Sequence, residues 1–138
     1  MQVNVGYPDK QAEKQILKVV REEARQSLAN EIRETPILLS QQSLLKARQQ
    51  IINLYLAEPL ENYIVELVNA TRDPIAWDAN MAQWIRFGAS PRGTLALDRC
   101  ARAHAWLQGR DYVSPEDIHQ IAHDVLRHRI LLSFEAEA

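Results

Sequence analysis

Arg92 is the clearest candidate for a chemical role, because two neighbouring residues define its position in the predicted structure. Ser90 occupies the position of a helix N-cap and Pro91 suits the first helical position, so the pair predicts a helix start. Arg92 then lies in the opening turn, where the helix dipole disfavours a cation by about 0.3–1 kcal/mol. An anion reverses that sign, since the helix terminus offers unpaired N–H groups and the guanidinium is a multiple donor. Arg92 is therefore a candidate contact for a phosphate or carboxylate; the alternative is an ion pair with an acidic residue of a neighbouring helix.

A second helix start, at Ser114 and Pro115, carries charge of the opposite sign. Asp117 stands three residues after the serine, as in a short version of the capping box. Glu116 adds a second negative charge at the positive end of the helix dipole. This pattern predicts stabilisation of a helix rather than binding.

The helix that follows carries histidines that are candidates for a shared metal ion. His119 and His123 are four residues apart, but no Glu follows His119, as a zinc-protease helix requires, and no third ligand is evident. We therefore expect solvated histidines and no metal. The same region also has the outline of a helix-turn-helix in which His119, Arg127 and Arg129 face a nucleic-acid backbone. A net charge of −2 and a pI of about 6.1 argue against that interpretation, so no nucleic-acid partner is expected.

The composition is typical of a soluble globular protein, with 46% hydrophobic and 25% charged residues in a chain of 138. A chain of this length is expected to form one domain with a real core. The one cysteine, Cys100, has no partner for an internal disulfide, and no apolar run approaches the ~20 residues that span a bilayer. No secretory leader is evident. A reducing cytoplasm is the simplest location for this chain.

Apolar spacing of three and four residues predicts an all-α fold, a bundle of about five helices. Their predicted starts are at or near Asp9, Ser40, Pro59, Pro91 and Ser114. The fourth helix, 91–108, has small residues over much of its circumference and is predicted to be central, with Asp98 and Arg102 spaced to pair. Val3 and Val5 alternate with polar residues, which is the period of a short strand. We expect this segment to be a strand remnant that belongs to a larger sheet.

An aromatic-rich link spans residues 75–87 and is predicted to form one or two helical turns. Its large apolar residues are Trp77, Met81, Trp84, Ile85 and Phe87. Large apolar side chains in a small domain are usually buried, so we expect this link to fill a gap between helices. A hydrophobic docking surface is the alternative, because aromatic and methionine side chains are enriched at interfaces.

Several runs of the sequence together resemble the C-terminal lid of MoxR-type AAA+ ATPases. They are GASPR with the alanine-rich helix that it opens, GRDYVSPEDI, DVLRHRILLSFEAEA, VNVGYPDKQAEKQIL and YIVELVNATR. The resemblance covers nearly the whole chain, and the combination of motifs is specific. It implies that residues 1–8 are the end of a strand of the AAA+ core with its linker, and that residues 9–138 form the helical lid domain.

The resemblance implies roles for a few positions. Arg92 matches the sensor-two arginine, which reaches the γ-phosphate of the nucleotide, and it is the expected catalytic residue. Ile16 matches a position near the adenine, although its helical spacing alone favours the core. Arg72 matches an arginine that often follows a threonine in this family; the alternative is a cation favoured by the dipole at a helix C-terminus. Gly93 departs from the usual alanine, which weakens the helix start and can let a ligand approach the backbone.

The function implied by the resemblance is a lid that closes over ATP and couples its hydrolysis to remodelling of other proteins. ATP and Mg²⁺ are the implied cofactors of the parent protein, and neither is expected to bind tightly to this chain alone. The implied partners are the AAA+ core of the same protein, neighbouring subunits of a hexameric ring, and an unknown client protein. The sequence has no GxxxxGK[ST] loop and no strand ending in an Asp-Glu pair, so we expect the chain alone not to hydrolyse ATP. The alternative is a free-standing helical interaction module with no nucleotide role.

Overall fold

Seven α-helices and one two-stranded sheet make up the regular structure of residues 1–28 and 36–137, which are the residues that the computed structural model describes. The helices are α1 (Lys10–Leu28), α2 (Gln41–Ile52), α3 (Glu58–Arg72), α4 (Ala79–Trp84), α5 (Pro91–Leu107), α6 (Pro115–Leu126) and α7 (Phe134–Glu137). A short 3₁₀ helix, Pro74–Ala76, follows α3, and the strands are β1 (Ile85–Phe87) and β2 (Leu131–Leu132).

Residues Asn4–Gln41 form one of two compact units, and α1 is its main element. Asp9 caps this helix, because its Oδ1 accepts the backbone N–H groups of Gln11 and Ala12 at 2.9 and 2.7 Å. The helix has an apolar side, yet none of its residues is buried. None of the helices in the described part of the chain is both long and apolar enough to cross a membrane.

The second unit consists of Met1–Val3 and the chain from Gln42 onward, and it contains the hydrophobic core. Its central helix is α5, as predicted, since α5 packs against both α3 and α6. The buried stripe of α5 repeats every four residues and consists of Gly93, Leu97, Ala101 and Ala105. Small side chains on this stripe let the neighbouring helices approach closely. The buried apolar residues of the unit are Leu54, Leu56, Ile64, Val68, Ala89, Leu97, Ala101, Ala105, Val113, Ile118, Ile121 and Val125.

The all-α class is confirmed, and so are the helix starts at Pro91 and Pro115. Asp98 and Arg102 form the predicted pair, with 2.8 Å between Oδ1 and Nε. The strand expected near the N-terminus is not formed in this chain, because residues 1–8 belong to no strand. A strand needs a neighbouring strand to satisfy its backbone groups, and among the described residues this segment pairs with none; the Gln2 N–H instead donates to the Asp124 carbonyl oxygen of α6 at 2.7 Å.

One strand, β1, forms within the link for which the sequence indicated helical turns, and a second strand, β2, pairs with it. β1 and β2 pair antiparallel, with Ile85 opposite Leu132 and Phe87 opposite Leu131. The Ser133 N–H continues the pairing by donating to the Trp84 carbonyl oxygen at 2.8 Å. The pairing joins segments that are far apart in the sequence, so local periodicity gives no sign of it.

The expectation that the aromatic link fills the core is wrong for three of its residues. Trp77, Trp84 and Phe87 are 61%, 52% and 58% exposed. The link contributes no residue to the buried core. It forms α4, which Asp78 caps, and then β1, which pairs with β2. These three aromatic side chains are therefore exposed, and the docking surface considered as the alternative stays a prediction.

Candidate anion-binding site

Arg92 lies in the first turn of α5 with an exposed side chain. Within residues 1–28 and 36–137 it takes part in no ion pair, so the structural ion pair considered as the alternative is absent from this part of the chain. Ser90 stands at the N-cap, but its hydroxyl makes no capping hydrogen bond. An uncompensated cation at the positive end of a helix is unfavourable, and an anion removes that penalty.

Arg92 lines a surface groove of about 440 Å³ that follows one face of α5. The other lining residues are Leu95, Ala96, Arg99, Cys100 and Arg129. Arg99 is exposed and stands two turns after Arg92, while Arg129 comes from the segment that follows α6. Three arginines therefore share one groove, and its described lining includes no acidic residue.

Gly93 explains why Arg129 lies beside the start of α5. A Cβ at Gly93 would lie 3.3 Å from the Ala89 Cβ and 3.5 Å from the Leu126 Cδ2, so α6 approaches the first turn of α5 closely. Beyond Leu126, the Arg129 N–H donates to the Leu126 carbonyl oxygen at 2.8 Å, and its Nε donates to that of Val125 at 3.0 Å. The space at Gly93 is filled by protein side chains, so the glycine does not open the backbone to a ligand.

The loop before α5 is fixed to the C-terminal end of α3. The Ala89 N–H donates to the Thr71 Oγ1 at 2.9 Å, and both residues are buried. The Arg72 Nε donates to the Ala89 carbonyl oxygen at 2.7 Å. Gly88 is required at this joint, because a Cβ there would lie 2.2 Å from the Thr71 carbonyl oxygen. We call Thr71, Arg72, Gly88 and Ala89 the α3–α5 clamp. Its contacts fix where α5 begins and therefore where Arg92 lies.

Arg72 is the last residue of α3. This agrees with the alternative interpretation of Arg72 as a cation at a helix C-terminus. Besides its bond to Ala89, its Nη1 lies 3.3 Å from the Asn69 Oδ1. Both contacts are within the protein, so Arg72 acts in this structure by holding the loop that leads to α5.

The second helix start is built around a buried carboxylate, Asp117. The Ser114 N–H donates to its Oδ2 at 2.8 Å, His104 Nδ1 lies 2.6 Å from its Oδ1, and Arg110 binds both oxygens. Burial alone raises the pKa of Asp117, but hydrogen bonds from Arg110, the Ser114 backbone and His104 outweigh burial and hold the pKa well below its usual range. These contacts of the carboxylate are made within the protein, at the turn between α5 and α6. The start of α6 is therefore structural, as the sequence predicted.

His119 and Arg127, two of the residues considered for metal or nucleic acid, have partners within the protein. His119 Nε2 lies 2.9 Å from the Tyr63 hydroxyl, and the two rings meet edge to face at 5.8 Å. Arg127 pairs with Asp124 at 2.6 Å between Nη2 and Oδ1. No group of three His, Cys, Asp or Glu side chains suited to a metal is found among the described residues.

Ile16, the second residue that the resemblance marked, lies on α1 in the other compact unit. It is 51% exposed, so it is not the buried core residue that its helical spacing alone favoured. Its proximity to an adenine stays a prediction.

Comparison with known proteins gives matches over the whole chain. The AAA lid domain model matches residues 78–138. The chain is 36% identical to Chaperone MoxR1 of Mycobacterium tuberculosis over 99% of its own length and 34% of that protein. It is 43% identical to Protein MoxR of Paracoccus denitrificans over 54% of its length and 23% of that protein. A crystal structure from Cytophaga hutchinsonii, provisionally described as an ATPase, matches with a TM-score of 0.76 and 38% identity over 99% of this chain and 40% of that one.

These matches, with the helical fold around α5, show that the chain contains an AAA lid domain, which the family model matches over residues 78–138. Within that class it belongs to the MoxR family of AAA+ proteins. The chain spans about a third of the length of Chaperone MoxR1 and of its relative YeaC from Bacillus subtilis, at 34% and 38%.

Three residues of the site were not assigned to it from the sequence. The sequence did contain a signal for Arg99. It lies seven residues after Arg92, and this spacing places both residues on the same face of a helix. Thr71 and Arg129 join the site through contacts between distant segments, 71 with 89 and 126 with 93, and neither contact leaves a local pattern.

Proposed function

We propose that this chain is the lid that closes over ATP in a MoxR-type AAA+ ATPase and that Arg92 contacts the γ-phosphate. The observation that carries the proposal is the exposed Arg92, which has no ion-pair partner among the described residues and lines a groove with two further arginines. Phosphoryl transfer is catalysed largely by positioning and by stabilisation of charge on the equatorial oxygens. An arginine that lid closure brings to those oxygens supplies this stabilisation only when the lid is shut.

The residues of the groove fit the phosphates of ATP, because cations line it and no acidic side chain is among its described lining. Mg²⁺ prefers carboxylate oxygens, so in this proposal the metal and the attacking water are held by the AAA+ core. ATP bound there supplies the phosphoryl group, and this chain contributes Arg92 to the phosphates and Ile16 beside the adenine.

The further partners belong to the same proposal. The lid packs on the AAA+ core of its own protein and on neighbouring subunits of a hexameric ring in the cytoplasm. Movement of the lid then couples the state of the nucleotide to the shape of the ring and to remodelling of a client protein.

The test is replacement of Arg92 by Ala in the protein that joins this chain to its AAA+ core. We expect ATP hydrolysis to fall by about 10²- to 10³-fold, the scale for loss of one preorganised donor, while ATP affinity falls less. Arg92→Lys rescues poorly, because a point charge does not reproduce the planar, two-pronged guanidinium. The measurement is steady-state turnover together with nucleotide binding at equilibrium.

Arg48→Ala is the matched control, because Arg48 is an exposed arginine on α2 that does not line the groove. It should leave turnover unchanged. Normal turnover in Arg92→Ala, combined with a drop of many degrees in its melting temperature, would show that the arginine is structural and that the proposed role is incorrect.

The exposed aromatic surface favours a second candidate, a protein-interaction module without a nucleotide role. Trp77, Trp84 and Phe87 face solvent in this unit, and exposed aromatic side chains are enriched at interfaces. The two candidates separate in one measurement, since only the ATPase lid requires Arg92 for turnover. A protein that carries this chain, lacks a phosphate-binding core and still needs Trp84 for partner binding would support the second.

A further inference from the structure

We propose that the C-terminal end of α6 is a docking surface for the edge of the β-sheet of the AAA+ core. Asp124 and Arg127 form this surface, and they hold the edge at Gln2, where the chain enters the lid. The inference rests on the proposed function, in which an AAA+ core belongs to the same protein. It concerns a surface outside the groove at Arg92, because neither Asp124 nor Arg127 lines that groove.

The surface binds Gln2 through its backbone. The Gln2 N–H donates to the Asp124 carbonyl oxygen at 2.7 Å, and the Gln2 carbonyl oxygen accepts from the Nη2 of Arg127. The same Nη2 also donates to the Asp124 Oδ1 at 2.6 Å, so α6 itself orients the arginine. Because these contacts do not involve the side chain of Gln2, the surface recognises a backbone rather than a particular residue.

The contact with Gln2 completes the hydrogen bonds at the end of α6. The last four carbonyl oxygens of a helix have no partner inside it, and in α6 they belong to His123, Asp124, Val125 and Leu126. The first accepts the Arg127 N–H at 3.0 Å, and the last two accept the Nε and the backbone N–H of Arg129. Gln2 supplies the donor for the Asp124 carbonyl oxygen, so all four oxygens are paired.

A strand at the edge of a sheet offers the pair of backbone groups that this surface binds. Both backbone groups of one strand residue point to the same side, and those of the next residue point to the opposite side. When Gln2 lies in a strand and bonds α6, the backbone groups of Met1 and Val3 therefore point away from α6, where the rest of a sheet lies. Proteins cover open sheet edges with helices or loops, because unpaired edges attract other chains. The alternation of Val3 and Val5 with polar residues is typical of such a strand.

Arg127 has a further donor that fits a longer strand. Its Nε is buried and has no hydrogen-bond partner within residues 1–28 and 36–137. Buried donors are nearly always paired, so we expect another carbonyl oxygen at this position in the complete protein. The chain covers 34% of Chaperone MoxR1, and in the proposed protein the AAA+ core supplies the strand that brings this oxygen.

The test is hydrogen exchange at the Gln2 amide, read with residue resolution by mass spectrometry. It is measured in this chain and in the complete protein that joins the chain to its AAA+ core. In both proteins we expect the amide to exchange more slowly than in an unstructured peptide of residues 1–8, because its N–H is bonded to Asp124. The complete protein should protect the amide at least as strongly, since the core sheet then holds the strand in place.

Arg127→Met removes the donor to the Gln2 carbonyl oxygen and leaves the Asp124 carbonyl oxygen in place. We expect exchange at Gln2 to become about fivefold faster in both proteins, the factor that corresponds to one net hydrogen bond. Gln2→Ala keeps the backbone contacts and should be protected as the unmodified chain is. Arg48→Met removes an exposed arginine from α2 and is the matched control for lost charge. Far-UV circular dichroism checks that Arg127→Met, which also loses its ion pair with Asp124, is folded.

Three results would overturn the inference. One is equal exchange at Gln2 in the unmodified and Arg127→Met forms of the complete protein, because the strand is then held without α6. Another is an acceleration of the same size in Arg48→Met, because the effect is then one of overall charge. The third is protection in this chain that is lost in the complete protein, because the core then does not occupy this surface. None of these measurements involves a nucleotide, so ATP hydrolysis in Arg92→Ala decides the proposed function separately.

Discussion

Replacing Thr71 by Val tests whether the α3–α5 clamp holds the start of α5 in place. Valine has nearly the same shape as threonine, so the change removes the hydroxyl and leaves the packing almost intact. The lost group accepts the Ala89 N–H at 2.9 Å and donates to the Val68 carbonyl oxygen at 2.7 Å. Ala89 is fully buried, so its N–H loses its partner without gaining water.

The magnitude follows from that burial. An unsatisfied buried N–H costs about 1–3 kcal/mol, and in a domain of this size each kcal/mol lowers the melting temperature by about 4 °C. Thr71→Val should therefore melt about 4–12 °C below the unmodified chain. Thr71→Ser keeps the hydroxyl and loses one methyl group, so it should retain the bond to Ala89 at a cost of about 1 kcal/mol.

Thermal denaturation followed by circular dichroism measures the loss, and amide hydrogen exchange at Ala89 locates it. Exchange of this amide should be faster in the Val variant and protected in the Ser variant. The reasoning fails if Thr71→Val melts within a degree of the unmodified chain and its Ala89 amide stays protected, because the clamp would then owe its stability to other contacts.

Two more predictions concern the same unit and its buried groups. Gly88→Ala should destabilise by at least about 1–3 kcal/mol, because the new Cβ would lie 2.2 Å from the Thr71 carbonyl oxygen, whereas Gly6→Ala, with nothing within 4 Å, should change the melting temperature little. The pKa of Asp117 is lowered in the folded state, so its stabilising contribution is full above its unfolded pKa of about 4 and is lost as the pH falls below it. Melting temperatures from pH 7 to pH 2 should therefore fall more steeply in the unmodified chain than in Asp117→Asn, and the exposed Asp111→Asn serves as the control. If the melting temperatures of all three proteins fall in parallel, Asp117 does not contribute to the pH dependence of stability.

Local signals predicted much of the helical frame. Ser followed by Pro indicated the starts of α5 and α6, and the spacing of Asp98 and Arg102 indicated their pairing. These features depend on residues within one helical turn, and the sequence displays such neighbours directly.

The features that escaped prediction depend on contacts between distant segments. Thr71 meets Ala89 across the whole aromatic link, and that link lies outside the core because β1 pairs with a strand near the end of the chain. The apolar character of Trp77 and Trp84 indicated burial, but composition does not say whether a neighbour is present to cover a side chain. The sequence singled out Arg92 as an anion contact, which stays a prediction, and it gave no sign that Arg129 lines the same groove.

The α3–α5 clamp links the position of Arg92 to the position of α3. The last turn of α3 and the first turn of α5 are joined by direct hydrogen bonds and by the backbone contact at Gly88, with no slack in between. We expect a displacement of α3, for example by a partner that contacts the 45% exposed Val65, to shift the first turn of α5 as well, because hydrogen bonds connect the two. We therefore expect a protein that binds α3 to alter the position of Arg92 without contacting the groove itself.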